Sequence, residues 1–177
     1  MRSSRACAAA ACFFVGLAAA PASVAADVYV GADAAYTRIP VAGRDFSSFG
    51  AKLRVGAKVY KGFGAEVQLL GGFGEDNVDT LELSLDSTAA VFLRYDTPHE
   101  GDFQFFVVAG YASTSLSFSG TGTETLDDKY DGFAWGLGAQ EKLKWWPGAS
   151  AVLEVNSYFG DSNVDVWALS AGVRYDF

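Results

Sequence analysis

The sequence predicts an all-β fold, an eight-stranded antiparallel transmembrane β-barrel, behind a removable N-terminal leader. Apolar and polar residues alternate with period two over residues 28–177, and several of these runs exceed the five or six residues usual for a globular strand. No amphipathic helical stretch of useful length interrupts them, and the chain is rich in Gly and aromatic residues but poor in Pro and Met.

The leader comes first. Arg2 and Arg5 precede an apolar run over residues 8–20 that contains Phe13, Phe14, Val15 and Leu17, and Ser23, Ala25 and Ala26 supply small residues behind it. A positive start, a short apolar segment and a small-residue site mark an export signal; a spanning helix needs about 20 apolar residues and fewer alanines. Cleavage is expected after Ala26, with Ala25 as the near alternative, giving a signal peptide over 1–26 and a barrel over 27–177. Cys7 and Cys12 leave with the leader, so the mature chain is expected to have no disulfide, no thiolate nucleophile and no lipidated cysteine. Loss of Arg2 and Arg5 takes the net charge from −8 to −10. So acidic a chain is a poor match for nucleic acid, whose phosphates call for clustered Lys and Arg.

The eight strands are predicted over 28–38, 47–60, 63–74, 80–96, 102–116, 130–145, 149–160 and 164–177. Phase justifies them. In the second, Phe49, Ala51, Leu53, Val55, Ala57 and Val59 share one face, opposed by Gly50, Lys52, Arg54, Gly56, Lys58 and Tyr60. In the fourth, Leu81, Leu83, Leu85, Ala89, Val91, Leu93 and Tyr95 oppose Glu82, Ser84, Asp86, Thr88, Arg94 and Asp96. In the last, Trp167, Leu169, Ala171, Val173, Tyr175 and Phe177 oppose Ala168, Ser170, Gly172, Arg174 and Asp176. A soluble sandwich or lipocalin-like barrel would alternate too. Here the apolar face is too continuous and its opposite too charged for a ligand cavity, and the run lengths suit the roughly 9 to 11 residues that cross a bilayer at a tilt. A closed barrel also leaves no unpaired edge in lipid. Short turns at 61–62, 97–101 and 146–148 alternate with connections at 39–46, 75–79, 117–129 and 161–163, the pattern of short periplasmic turns and longer external loops.

Three segments carry a resemblance: Val28-Tyr-Val-Gly-Ala-Asp-Ala-Ala-Tyr36 in the first strand, Gly132-Phe-Ala-Trp-Gly-Leu-Gly-Ala139 in the sixth, and the closing Val173-Arg-Tyr-Asp-Phe177. With them the chain resembles the small eight-stranded outer-membrane barrels of the OmpA, OmpX and opacity type over essentially its whole mature length. The resemblance implies the bacterial outer membrane as location and the barrel assembly machinery as a partner that reads a terminal aromatic with apolar residues two and four places before it. Two departures stand out. Glu141 falls in the lipid-facing phase where such barrels often have an aromatic residue, and no peptidoglycan-binding domain follows Phe177, so a cell-wall tether is not expected. Girdle aromatics are expected at both interfaces: Phe49, Phe73, Phe133, Trp135, Phe159 and Trp167 outside, and Phe63, Tyr95, Phe103, Phe105, Trp145, Tyr175 and Phe177 on the periplasmic side.

Strand phase points Lys52, Arg54, Lys58, Arg94, Lys142, Lys144 and Arg174 inward, together with Asp33, Glu66, Glu82, Asp86, Asp96, Glu154 and Asp176. Buried charges persist only when paired, and an eight-stranded barrel is just wide enough for side chains to fill, so the lumen is expected to be plugged by ion pairs. If Tyr60 faces Gly64 across the first turn, Lys58 faces Glu66 and the two form one such pair.

Catalytic, cofactor-binding and metal-ligating residues are expected to be none, with no cofactor. Enzymes on this architecture, the lipid A palmitoyl transferases and deacylases, resemble serine hydrolases with a His base. The single histidine, His99, lies in the predicted periplasmic turn Thr97-Pro-His-Glu-Gly101, away from the outer leaflet, and its neighbour Glu100 does not make it a base. Glu82 and Asp86 read as structural partners of lumenal cations. The acidic clusters Asp76-Asn-Val-Asp79 and Asp127-Asp128-Lys-Tyr-Asp131 lack calcium-loop spacing, and the glycines of Leu70-Gly-Gly-Phe-Gly74 open no helix that could cradle phosphate.

The expected role is therefore structural or surface-interactive, with the Ser-, Thr- and Gly-rich 117–129 segment as the element that meets an unidentified extracellular ligand. A small porin-like channel competes with this reading, and a lipid-modifying enzyme comes third. Asp45, Glu75, Asp76, Asp79, Glu124, Asp127, Asp128, Asp131, Asp161 and Asp165 make the external connections acidic against Arg38, Arg44 and Lys129. Divalent cations are accordingly expected to bridge them to lipopolysaccharide. Deleting Phe177 should sharply reduce membrane insertion in cells while leaving refolding into detergent nearly intact. Unchanged insertion in cells would rule out an assembly signal, and equal failure in both settings would reduce the residue to a stabilising anchor.

Overall fold

The computed structural model describes residues 27–41, 44–73, 75–78, 81–98, 101–120, 123–159 and 165–177; the expected leader and the pair His99 and Glu100 lie outside the described residues. Nine strand segments follow one another: β1 (Asp27–Val41), β2 (Arg44–Tyr60), β3 (Phe63–Phe73), β4 (Glu75–Val78), β5 (Leu81–Asp96), β6 (Phe103–Gly120), β7 (Thr123–Lys142), β8 (Ala149–Phe159) and β9 (Asp165–Asp176). Each pairs antiparallel with its neighbour in the order β3-β2-β1-β9-β8-β7-β6-β5-β4, and β3 also pairs with β5, which closes the sheet. β3 and β4 lie along the same partner, β3 against the later part of β5 and β4 against its start, so together they form one stave. The barrel thus has eight staves.

Closure runs through β1 and β9, in register from Tyr29 opposite Asp176 to Arg38 opposite Trp167. The Phe177 amide adds a bond to the Val28 carbonyl at 3.0 Å. With that seam shut, no strand edge faces lipid, where an unpaired backbone group costs several kcal/mol on the order of magnitude of its lost hydration.

The staves are longer than the bilayer requires: β2 has 17 residues, β6 has 18 and β7 has 20. The excess lies at the end away from the chain termini. Val41 pairs with Arg44, and Gly120 with Thr123, so most of the expected connections 39–46 and 117–129 is paired strand. Serine and threonine read as loop residues in isolation, but they extend a ladder that the bilayer has already aligned, and cross-strand Ser and Thr pairs are favourable in a sheet. At the other end β7 stops at Lys142, three residues short of the expected strand, in a turn where the Trp146 amide bonds the Leu143 carbonyl at 3.1 Å.

The first turn sets the register of β2 against β3. Lys61 and Gly62 have φ of 42° and 87°, the doubly positive backbone of a two-residue hairpin whose twist matches its strands. Tyr60 then faces Phe63, while one step inward Lys58 faces Gly64, so β2 carries an extra residue at Val59. This bulge lets Val59 and Tyr60 both point outward; Tyr60 is 64% exposed and belongs to the lipid-facing wall, not to the lumenal face on which strict alternation placed it.

Outward positions elsewhere follow the predicted phase. Phe49, Leu53, Val91, Leu93, Phe105, Phe133, Leu137, Leu153 and Leu169 are all exposed, a continuous apolar wall that water would not tolerate and hydrocarbon does. Ala149, at the start of β8, and Ser157 depart from this: both are outward in phase yet buried, Ser157 wholly so. Ser157 lies opposite Trp135 on one side and Trp167 on the other, and their rings meet at 5.9 Å and 88° above it. The side chains of Phe73 and Phe159, also expected in the outer girdle, lie outside the described residues.

Gly110 shows how closely the staves approach. A Cβ there would lie 1.9 Å from the Val91 carbonyl oxygen, a backbone atom that cannot rotate away, whereas one at lipid-facing Gly71 would meet nothing within 4 Å. Gly110→Ala should therefore lower the unfolding free energy of the refolded barrel by about 2 kcal/mol or more, the upper range for overpacking. Gly71→Ala should change it by no more than about 0.5 kcal/mol, as expected for a substitution without steric conflict. Urea titrations of both variants in lipid vesicles would show the contrast, and equal midpoints would refute it.

Candidate functional site

Inside the barrel, side chains from β1, β2, β3 and β5 extend across the bore. Inward positions on β6 and β7 are small or apolar along most of their length: Val108, Gly110 and Ala112 on one, Ala134, Gly136 and Gly138 on the other. Long charged residues on one wall thus lie opposite short ones, and the charges meet in the middle.

Arg54 of β2 contacts two carboxylates. Its Nη2 lies 2.9 Å from Glu154 Oε2 on β8, and its Nε donates to Asp33 Oδ2 on β1 at 3.1 Å. Lys52 Nζ donates to the same Glu154 oxygen at 2.7 Å and to Asn156 Oδ1 at 3.0 Å. Arg94 of β5 forms a second centre, donating to Glu66 Oε2 at 2.9 Å, to Asp96 Oδ1 at 2.8 Å and to Gln140 Oε1 at 2.9 Å. Arg174 of β9 donates to that Gln140 oxygen at 2.8 Å and pairs with Asp176. Glu66 links the two centres, 2.9 Å from Arg94 Nη1 and 3.8 Å from Arg54 Nη1, and Tyr29 packs within the second: its hydroxyl donates to Glu66 at 2.6 Å, and its ring lies 4.0 Å from the Arg174 guanidinium and 5.5 Å from that of Arg94. The ring fits because it lies across Gly56, where a Cβ would come within 2.3 Å of it. The other face of Arg94 stacks on Phe106 at 3.6 Å.

Gln68 reaches furthest. It donates to Glu66 at 2.6 Å on its own strand and to Glu154 Oε1 at 3.1 Å, and its carbonyl oxygen accepts from Tyr158 at 3.1 Å. β3 and β8 are four staves apart in a ring of eight, so these bonds cross the full width of the barrel. Above this layer the interior turns apolar, with Ala35, Ile39, Leu70, Ala90, Ala112, Tyr158, Val166 and Ala168 packed in one cluster.

The predicted inward charges whose side chains are described divide into three groups. Lys52, Arg54, Arg94, Arg174, Asp33, Glu66, Asp96 and Glu154 are buried, and Lys58 and Asp176 are half-buried at the mouth nearer the chain termini. Lys142 and Lys144 are exposed, because Lys142 is the last residue of β7, at the rim of the bore, and Lys144 lies beyond the strand, its Nζ 3.3 Å from Asp102. The side chains of Glu82 and Asp86 lie outside the described residues, as do those of Asp76, Asp79, Asp127 and Asp128.

The expected Lys58 to Glu66 pair does not form. The Val59 bulge and the two-residue turn set Lys58 opposite Gly64 and Glu66 opposite Gly56, so Lys58 pairs with Asp176 at 3.5 Å and Glu66 with Arg94. Three buried atoms of the network, Asp33 Oδ1, Arg54 Nη1 and Asp96 Oδ2, have no hydrogen-bond partner among the described residues, although Arg54 Nη1 stands 3.8 Å from Glu66. Phe177 is 75% exposed, its ring 5.2 Å from that of Tyr175 on the outer wall.

A closed eight-stave sheet with an apolar outer wall and a charge-filled interior defines a transmembrane β-barrel. The outer membrane protein beta-barrel domain matches residues 7–177, and the chain belongs to that family and to the bacterial outer membrane. Among solved structures it is similar to Neisserial surface protein A, at 18% identity over 85% of this chain and 97% of that one, with a TM-score of 0.68. It is also similar to Ail, the attachment invasion locus protein of Yersinia pestis, in complex with the heparin analogue sucrose octasulfate (14% identity, 86% and 99% covered, TM-score 0.66). OprG from Pseudomonas aeruginosa is a third (15% identity, 87% and 97%, TM-score 0.62). At these identities the likeness is one of fold. No curated protein matches the chain.

The network should respond unequally to substitution. Glu154→Ala leaves two buried cations short of a partner and should cost about 3–5 kcal/mol, with part recovered when Lys52→Met and Glu154→Leu are combined, since Arg54 keeps Asp33. Lys58→Ala at the half-buried mouth should cost no more than about 1 kcal/mol. Equal losses in urea titrations would contradict the buried pairing.

Proposed function

We propose that this outer-membrane barrel is a non-enzymatic, non-conducting protein whose role is structural or surface-interactive, with its two long hairpins as the contact elements outside the cell. The observation that carries this reading is the bridge between Gln68 and the Glu154 and Tyr158 pair, which ties diametrically opposite staves together across the bore. Around it the two arginine centres occupy the periplasmic half, and the apolar cluster from Ile39 to Val166 occupies the outer half. An ion would have to break paired charges in the first and lose its hydration in the second, each a cost of several kcal/mol on the order expected for buried ions.

The paired strands beyond Thr37 on β1 and beyond Thr114 on β6 support the contact role. Beyond Arg38 β1 is paired with β2 alone, and beyond Thr114 β6 stays paired with both β5 and β7, so the extensions are hydrogen-bonded sheet, which is stiffer than open loops and presents backbone and side chains to a partner. Ail, one of the structures similar in fold, is seen with a sulfated heparin analogue. The acidic composition of the outer segments here points to a partner that is neutral, cationic or reached through divalent cations.

Refolded protein in planar bilayers should give no reproducible stepwise conductance. Discrete openings in the wild type, with an ion selectivity that changes in Glu154→Gln, would overturn the sealed-lumen reading in favour of a channel.

A further inference from the structure

Glu141 is an acidic side chain on the lipid-facing phase of β7, exposed and without an ion-pair partner among the described residues. Its neighbours on the wall are Phe103 on β6 and Ala151 on β8. A carboxylate in such a place needs a cation or water, because hydrocarbon solvates neither the charge nor its oxygens.

The wall beside it is hollowed. One outward position closer to the membrane centre, Ala139 stands between Phe105 and Leu153, and the short side chain between two large ones opens a groove of about 360 Å³. Val107, Leu137 and Val155 line its far end. At about 3.3 Å per residue the groove begins about 7 Å from Glu141 along the strand and reaches Leu137 at about 13 Å. That depth lies within one half of a hydrocarbon core about 30 Å thick.

The rim beside Glu141 has the opposite charge. Lys144 is 83% exposed on its side chain and lies against Asp102, the residue before Phe103, which itself faces Glu141. An apolar groove, a carboxylate and an exposed ammonium group therefore adjoin one another at the periplasmic interface.

We propose that this is a binding site for one inner-leaflet phospholipid whose head carries both a primary ammonium and a phosphate, that is, phosphatidylethanolamine. One acyl chain lies in the Ala139 groove, the ammonium donates to Glu141, and the phosphate accepts from Lys144. Only a two-carbon linker separates the two charges of that head, so it requires an anionic and a cationic side chain adjacent on the rim. A purely anionic lipid would gain Lys144 but meet Glu141 as a like charge, and a quaternary ammonium has no N–H to donate. The second wall groove, about 540 Å³ around Ala32, Leu53 and Val173, has no exposed charged side chain among its lining residues and offers no basis for choosing a head.

The test is competitive retention. Protein reconstituted into vesicles of equimolar phosphatidylethanolamine and phosphatidylglycerol is extracted into mild detergent, and the lipids that remain bound are counted by native mass spectrometry. Wild type should hold phosphatidylethanolamine at least fivefold over phosphatidylglycerol. Glu141→Gln should bring that ratio close to one, and Ala139→Leu, which fills the groove, should reduce retention of phosphatidylethanolamine several-fold. Heat-modifiable gel migration confirms that each variant is folded. Equal retention of the two lipids by wild type, an unchanged preference in folded Glu141→Gln, or undiminished binding in folded Ala139→Leu would each overturn the proposal.

Discussion

In lipid the backbone has no water to turn to, so the pairing of β1 with β9 is the contact on which the rest of the molecule depends. Once Tyr29 lies opposite Asp176 and Arg38 opposite Trp167, the sheet has no edge, and every residue between must face either hydrocarbon or the bore. The two environments make opposite demands. Outward positions can be large and apolar without limit of shape, while inward positions share a space so narrow that a long side chain on one stave requires a short one opposite. The glycines and alanines of β6 and β7 are therefore as much a part of the charged interior as Arg54 or Arg94.

That interior specifies the fold more than it stabilises it. Each buried ion loses several kcal/mol of hydration, on the order that its pairing restores, so the net contribution of the network is modest even where its rupture is costly. Its effect on register is larger. A slip of one residue between β2 and either neighbour would turn Lys52 and Arg54 into the hydrocarbon and bring Leu53 into the bore. The same penalty applies at Glu66, Arg94, Glu154 and Arg174, which lie on four other strands, so a wrong register at any of these strands places at least one charge in lipid.

The period of two made most of this legible in the sequence, because in a barrel phase alone decides which environment a residue meets. Asp33, Lys52, Arg54, Glu66, Arg94, Glu154 and Arg174 are where alternation puts them. Alternation says nothing about where a strand stops: Lys142 stands at the rim as the last residue of β7, and Lys144 lies beyond the strand, so neither is inside the bore. Nor does it register a bulge: the extra residue at Val59 moved Tyr60 to the lipid side and paired Lys58 with Asp176, 118 residues away, in place of Glu66. Ser157 was invisible in another way, since its burial comes from two tryptophans on adjacent strands. The partners within the network were equally hidden, because Gln68 and Glu154 meet across four staves and no spacing along the chain encodes that distance.

The network is also unevenly placed along the barrel axis, and this bears on where function can lie. Charges fill the periplasmic half, from the Lys58 and Asp176 pair at the mouth to Lys52 and Glu154 within. From Leu70 and Ala90 outward the bore is lined by aliphatic and aromatic side chains, with Thr88 and Thr114 sharing a hydrogen bond of 3.0 Å near the top. Among the described residues an electrostatic change at the charged end therefore meets a mostly aliphatic and aromatic layer, relieved by Thr37, Thr88 and Thr114, before it reaches the other. The extended strands at one end and the rim that carries Glu141 and Lys144 at the other both lie outside the network, so the contact proposed at each would leave the charges that set the register undisturbed.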